Sequence, residues 1–217
     1  MNPRLRAVAR TSVRTLNTPI AKARLTKELA KAPRPLKIEL GGLTPRPGWV
    51  VTNVNAVARL YLDATTRWPV EDDSVECVYA DNVIEHITLD AGRRMLTEAA
   101  RCLKPGGVIR LVTPDIRTHV EMYLSGDDPA QSPAGRLYQS LGLTVEHPID
   151  MVRIPIGSFG HHEGYVYDFE TLELELGRAG FTSPKRCELG ESEHPDLAGL
   201  DNRGQEGGAQ MAVEATA

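Results

Sequence analysis

Residues 89–112 constrain the fold more than any other part of this chain. Leu89, Met95, Leu96, Ala99 and Leu103 recur at helical spacing and lead into Lys104-Pro105-Gly106-Gly107, a strong turn signal. Val108-Ile109-Arg110-Leu111-Val112 follows, with apolar side chains on successive positions as well as alternate ones. A strand of that kind is buried on both faces, which suits the centre of a parallel sheet covered by helices. The remaining elements read the same way. Lys37–Leu40, Trp49–Val54, a short apolar stretch ending at Leu62-Asp63, and Val75–Ala80 read as strands, with further strands at 183–189 and Gln210–Thr216. Helices are expected over Ile116–Leu124, Ala134–Leu141 and Phe169–Ala179, the last closed by Gly180. Strands alternate with helices and the chain finishes on two strands, so an α/β sandwich with an antiparallel last pair is expected.

At 217 residues the chain is one domain of ordinary size, able to bury a core without disulfides or metals. Three widely spaced cysteines, Cys77, Cys102 and Cys187, form neither a disulfide framework nor a zinc ligand set, so a cytoplasmic location is expected. No apolar run approaches the ~18 residues of a membrane span. The charge is divided: residues 1–37 carry ten Lys/Arg against Glu28 alone, while the remainder is acidic. Residues 1–35 are read as a basic helical arm, with Leu16, Ile20, Leu25 and Leu29 near one helical face and Pro33 and Pro35 ending it. The acidic body and the three Phe, two Trp and six Tyr argue against nucleic acid as partner. Pairing between an oppositely charged arm and body is compatible with a homodimer.

The motifs come in a particular order. Ile38-Glu39-Leu40-Gly41-Gly42 ends the first strand; Gly48-Trp49-Val50 opens the second; Asp63-Ala64-Thr65 ends the third stretch; Ala80-Asp81-Asn82-Val83-Ile84-Glu85-His86 leaves the fourth; and Thr113-Pro114-Asp115 leaves the fifth. In this order the chain resembles the class I S-adenosylmethionine-dependent methyltransferases, in particular short type 11-like members, over about residues 36–125 and in outline over 160–217. The resemblance implies a Rossmann-like, seven-stranded, mostly parallel sheet with an antiparallel C-terminal strand and helices on both faces. It further implies a methyltransferase domain over 36–217 with an acceptor lid at about 125–168.

The cofactor would be S-adenosyl-L-methionine, leaving as S-adenosyl-L-homocysteine. By position in the motifs its binding residues would be Glu39, Gly41, Gly42, Asn53, Asp63, Ala64, Ala80 and Asn82. Asn53 stands where such enzymes usually place an acid on the ribose hydroxyls, and it brings no charge. Asp63 has the alternative role of capping a turn.

Only residues 43–49 separate Gly42 from the second strand, whereas a parallel crossover takes about a dozen residues or more. The usual crossover helix is therefore missing, and the basic arm is expected to fill the vacancy, packing over the sheet edge or covering the cofactor. Methyl transfer asks the enzyme to align a nucleophile and take its proton. His147, His162, Asp115, His86 and Asp81 are the expected catalytic residues. The His/Tyr/acid-rich stretch 142–168 suggests a small polyhydroxylated acceptor, a sugar or glycoside such as a mannoside of a methylated polysaccharide, with a hydroxyl methylated. A quinone, lipid or amine acceptor, which would predict a more apolar lid, and a non-catalytic cofactor-binding relative are the alternatives. A divalent-metal site formed by Glu85, His86, His161 and His162 is a competing reading and no metal is predicted. Adjacent histidines point in different directions, so His161 is read as surface loop.

Overall fold

The computed structural model describes residues 3–201 and 209–217, with side chains from residue 17 onward. The arm is one helix, α1 (Pro3–Lys31), with Pro19 inside it; the side chains of Leu16 and of the first basic residues lie outside the described ones. Six strands follow among the described residues: β1 (Leu36–Leu40), β2 (Val50–Thr52), β3 (Val75–Asp81), β4 (Leu103–Pro114), β5 (Thr182–Cys187) and β6 (Gln210–Thr216). Their order across the sheet is β2-β1-β3-β4-β6-β5, with β2 to β4 parallel and β6 antiparallel to both neighbours. The third of the expected strands is reduced to one parallel bridge, Asn53 to Tyr61, which is why six strands are seen and not seven.

Helices α2 (Leu89–Cys102), α3 (Ile116–Ser125), α4 (Pro133–Ser140), α5 (Asp150–Gly157) and α6 (Phe169–Arg178) complete the chain. Polar side chains cap several of them: Thr88, Asp115, Ser132 and Asp168 each accept from a backbone N–H in the first turn. The Lys104–Gly107 turn is not a boundary before the strand. It is looped out of β4, because Val75 pairs with Leu103 while Cys77 already pairs with Val108.

Alternation along the strands divides the core. Ile38, Leu40, Val78, Ala80, Ile109, Leu111, Met211 and Val213 face α2 and α6. Leu25 and Leu29 of α1 join this same cluster. Asn17 also donates to the carbonyls of Ala56 and Ala58, and the Tyr61 N–H donates to Ala21, so α1 clamps the β2 edge of the sheet.

The arm packs over the sheet edge, one of the two places expected for it, but not where the missing helix would lie. The step β1→β2 runs the opposite way across the sheet from β3→α2→β4, so right-handed crossovers put the missing helix on the face away from α2. That face carries Tyr79, Val108, Val112 and Ala212, and it is covered by Trp49 together with Leu197 and Leu200 from the segment after β5. This segment, expected to be merely a polar connection, is held down by Arg110. The guanidinium donates to both oxygens of Asp201 at 2.7 and 2.8 Å, to Glu214 at 2.7 Å, and to the carbonyls of Glu188 and Glu191. Arg110 and Asp201 are fully buried, Glu214 nearly so.

Residues 134–154, within the stretch expected to form a lid, have a small core of their own, in which Ala134, Tyr138, Val145, Met151 and Ile154 pack together. Asp150 accepts from the N–H groups of Glu146 and His147 and from Arg153, so its carboxyl is held down at a pKa of about 2, with the backbone bonds as the main cause.

Three measurements test this architecture. Arg110→Ala strands two buried carboxylates and is expected to lower unfolding free energy by about 3–5 kcal/mol in urea titration. Leu25→Ala is expected to cost about 2–4 kcal/mol, and no loss would show α1 to be dispensable. Because the folded-state pKa of Asp150 lies below its unfolded value of 3.8, its stabilisation is present above pH ~4 and fades as pH falls toward 2. Asp150→Asn should therefore destabilise at pH 6 and make little difference near pH 2, followed by thermal melts across that range.

Candidate active site

β1→β2 and β3→β4 diverge from adjacent parallel strands, and a crevice opens at the carboxyl ends of such strands. A cleft of 490 Å³ lies there, within the usual size of small-molecule sites. Its floor is Gly41 at the end of β1, Asp81 and Asn82 at the end of β3, and Pro114 at the end of β4. Leu137, Tyr138 and Leu141 of α4 with Pro155 and Phe159 form an apolar and aromatic wall, and His86 and His161 lie at one side. A second recess of 210 Å³ shares Leu43 with it and is lined by Gly42, Asn53, Asn55 and Val57.

The glycine turn is built for close packing. Gly41 has φ +75°, and a Cβ there would stand 2.5 Å from the Val83 side chain; a Cβ on Gly42 would meet Val51 at 2.4 Å and Glu39 at 2.6 Å. Asn53 Nδ2 donates to the carbonyls of Gly41 and Gly42 at 2.7 and 3.2 Å, and its Oδ1 accepts from the Asn55 N–H. An aspartate could not make these contacts, because a carboxylate offers no proton to two carbonyl oxygens. The amide at this position is thus accounted for by the turn it staples.

On the other side of the cleft, Asn82 adopts φ +50° and donates through Nδ2 to Asp81. Residues 84–86 form a short 3-10 turn that buries Glu85 completely while His86 stays accessible. Thr113 donates its hydroxyl to Glu85 at 3.2 Å. The His86 and His161 rings meet edge to face with centroids 4.7 Å apart. His161 is 5% exposed, and its Nδ1 lies 2.7 Å from the Pro155 carbonyl. A carbonyl only accepts, so Nδ1 carries the proton and Nε2 offers its lone pair. Burial lowers the pKa of both histidines, that of His86 further through His161, which favours the neutral form of each. The ring series continues through Phe159 and Tyr138. Phe159 holds φ +59°, a conformation rare for an aromatic residue, at the rim of the cleft. The Tyr138 hydroxyl donates to Nε2 of buried His119, whose Nδ1 in turn donates to the Asp115 carbonyl, so the wall is tied to the end of β4.

The sequence-predicted residues divide accordingly. Gly41, Asp81, Asn82 and His86 line the cleft, and Gly42 and Asn53 line the adjoining recess. Ala80 is buried in the core on β3 beneath the floor. The remaining expected site residues lie elsewhere. Glu39 is turned to Arg46 at 3.0 Å, Asp63 accepts from the N–H and hydroxyl of Thr65 in a turn, and the Ala64 carbonyl accepts from Trp68. Buried Asp115 caps α3 and takes Thr118 and Arg186. His147 is exposed on the lid with its N–H on Asp150, and His162 is exposed beside Glu163. The histidine that reaches the cleft is His161, whose reading as surface loop is overturned by its burial. Tyr138 and Phe159 also went unnoticed, since isolated aromatics in an irregular stretch carry no local signal.

Residues 45–111 match the family model described as a methyltransferase domain, from the loop before β2 to within β4. No curated protein matches the sequence. Among solved structures, the chain is similar to a SAM-dependent methyltransferase of Thermotoga maritima, with 16% identity, 94% of this chain and 97% of that chain covered, and a TM-score of 0.44. It is similar also to human N-acetylserotonin methyltransferase (14%, 88% and 50%, TM-score 0.45) and to the CurJ carbon methyltransferase (15%, 91% and 53%, TM-score 0.47). The chain spans nearly all of the first of these and about half of the other two. The methyltransferase-domain match thus runs through β2, β3 and α2 and ends within β4, the part of the chain whose strand ends form the cleft over Gly41 and Asp81.

Proposed function

We propose that this protein methylates a hydroxyl of a small acceptor that presents one apolar face, with S-adenosylmethionine as donor. The observation that carries the reading is the polarity of the cleft: two imidazoles at one side, an aromatic and aliphatic wall opposite, and backbone with Asp81 and Asn82 between.

The donor set fits the cofactor. Asp81 can meet an ammonium group, Asn82 and Asn55 offer amides to hydroxyls and carboxylate, and the Gly41-Gly42 turn keeps side chains off the path between cleft and recess. Bound there, S-adenosylmethionine supplies a sulfonium methyl for in-line displacement. The protein's own residues do the rest. The wall of Leu137, Leu141 and Phe159 removes water from the acceptor, and the imidazole side receives its hydroxyl end and can accept the proton.

A glycoside suits this cleft because a sugar ring has a hydroxylated rim and an apolar C–H face that can lie on Phe159. The leucines favour an acceptor that carries apolar bulk as well, so a glycoside with an apolar aglycone ranks above a free sugar, and a phenol or quinol is the second reading. Domain limits are proposed as an N-terminal helical arm over 1–35 and a methyltransferase unit over 36–217.

Calorimetric titration with S-adenosylhomocysteine should give one site per chain, and a folded protein that binds none at millimolar concentration would overturn the reading. Asn53→Asp sharpens the test. If the amide's work is to staple the glycine turn, the variant binds S-adenosylhomocysteine more weakly and loses about 1–3 kcal/mol of stability; stronger binding would return the side chain to the ribose. Activity should be higher on aryl or alkyl glycosides than on the corresponding free sugars, and Phe159→Ala should raise KM for them more than it lowers kcat.

A further inference from the structure

The imidazole side of the cleft holds more than two histidines. One donor atom from each of Glu85, His86 and His161 lies within 4.8 Å of the other two. We propose that these three side chains form a binding site for a divalent transition-metal cation, with an open coordination position facing the acceptor in the cleft. The proposal rests on the reading of this cleft as the methyl-transfer site and goes beyond it by adding a cation at its hydroxyl end.

Four features support it. The ligand types are right: two imidazoles and a carboxylate are the donors of open, three-ligand sites in which a fourth position is left to water or substrate. The protonation is right as well. His161 has its Nδ1–H fixed on the Pro155 carbonyl at 2.7 Å, the outer contact that metal-bound histidines typically make, which leaves Nε2 as ligand. The Thr113 hydroxyl on Glu85 is a second outer contact of this kind, orienting a carboxylate that is wholly buried. The spacing is that of an open cluster able to close on an ion. Donors each ~2.1 Å from one ion at tetrahedral angles stand ~3.4 Å apart, so a cluster spread over up to 4.8 Å has to close by more than an ångström, through rotation of the accessible His86 side chain above all.

The surroundings give the position a use. His86 and His161 line the same cleft as Asp81, whereas Glu85 is buried and does not line it, so the cleft gives access to an ion there. The adjacent His162 takes no part, being exposed and turned toward Glu163. A metal-bound hydroxyl is more acidic than a free one, and with the ion bound both imidazole lone pairs are taken, so the proton passes to water in the cleft in place of an imidazole. Imidazole ligands favour zinc over magnesium, and the single carboxylate leaves manganese as the next choice.

The test uses the full chain, freed of metal by chelation and titrated with zinc and then with manganese. One equivalent of zinc should be retained after gel filtration, measured by elemental analysis, and should raise the melting temperature. His86→Ala, at an accessible position, and the isosteric Glu85→Gln should each weaken zinc binding by more than about 100-fold, while His162→Ala leaves it unchanged. S-adenosylhomocysteine is titrated into the same metal-free samples. Its binding without any zinc uptake overturns the metal site alone, whereas its absence from a folded, zinc-binding protein overturns the cofactor reading and leaves the metal site standing. Zinc uptake that survives both His86→Ala and Glu85→Gln would place the ion elsewhere and sink the proposal.

Discussion

Nine residues join β1 to the parallel strand beside it, and most of this architecture follows from that economy. A connection over 41–49 is too short to carry a helix, so one face of the sheet lacks the cover that a crossover would give it. The chain covers that face late, with residues 188–201 after β5, which form neither helix nor strand to stiffen them. Arg110 compensates. Its five N–H groups meet two carboxylates and two backbone carbonyls, and a planar guanidinium is the side chain able to satisfy so many acceptors from one strand position. The arrangement is a buried ion cluster, whose value over a well-packed apolar alternative is small. What it contributes here is placement, since the register of Asp201 and the carbonyls of Glu188 and Glu191 on Arg110 fixes an otherwise irregular cover.

The same short connection shapes the cleft. With no helix rising from Gly42, the glycine turn lacks the usual helix N-terminus to organise it, and the turn is organised by Asn53 from the neighbouring strand. Close contact of Val83 with Gly41 then ties the end of β1 to the turn leaving β3. The glycines serve this mutual packing first, and the open backbone at the mouth of the cleft is its result.

How much of this could be read from the chain depended on the range of the interactions. Strands β3, β4 and β6 and helices α2, α3, α4 and α6 follow from local periodicity and turn residues, and the missing crossover helix follows from counting. The cover over Arg110 did not, because 188–201 is polar in composition and only the burial of Leu197 and the charge cluster give it a core face. Helix α5 was hidden by Pro155 near its end and by the histidines around it. The exchange between His161 and His162 has the same origin. Nothing local distinguishes adjacent histidines; Gly160, at φ +92°, turns the chain so that His161 faces the Pro155 carbonyl while its neighbour faces out. The arm lies over the sheet edge, as expected, yet outside the vacancy, for a topological reason. A vacancy was counted correctly, but its face is set by the handedness of crossovers, and α1 had its apolar stripe against α2's face.

The lid brings these threads together. Its wall is anchored by two independent routes: through Tyr138 and His119 to the Asp115 backbone at the end of β4, and through the Ile116 N–H to the Tyr167 carbonyl beside α6. Asp115, expected to act on substrate, is committed to α3, Thr118 and Arg186. Its buried carboxylate thereby holds the base of the wall on the sheet. A wall fixed at its base and carrying its own core around Met151 and Ile154 is preorganised, so little ordering is left to the moment when a ligand enters the cleft. The strained backbone at Phe159 is where that rigidity is used, since a ring held in a disfavoured conformation stays at the rim only if its surroundings fix it there.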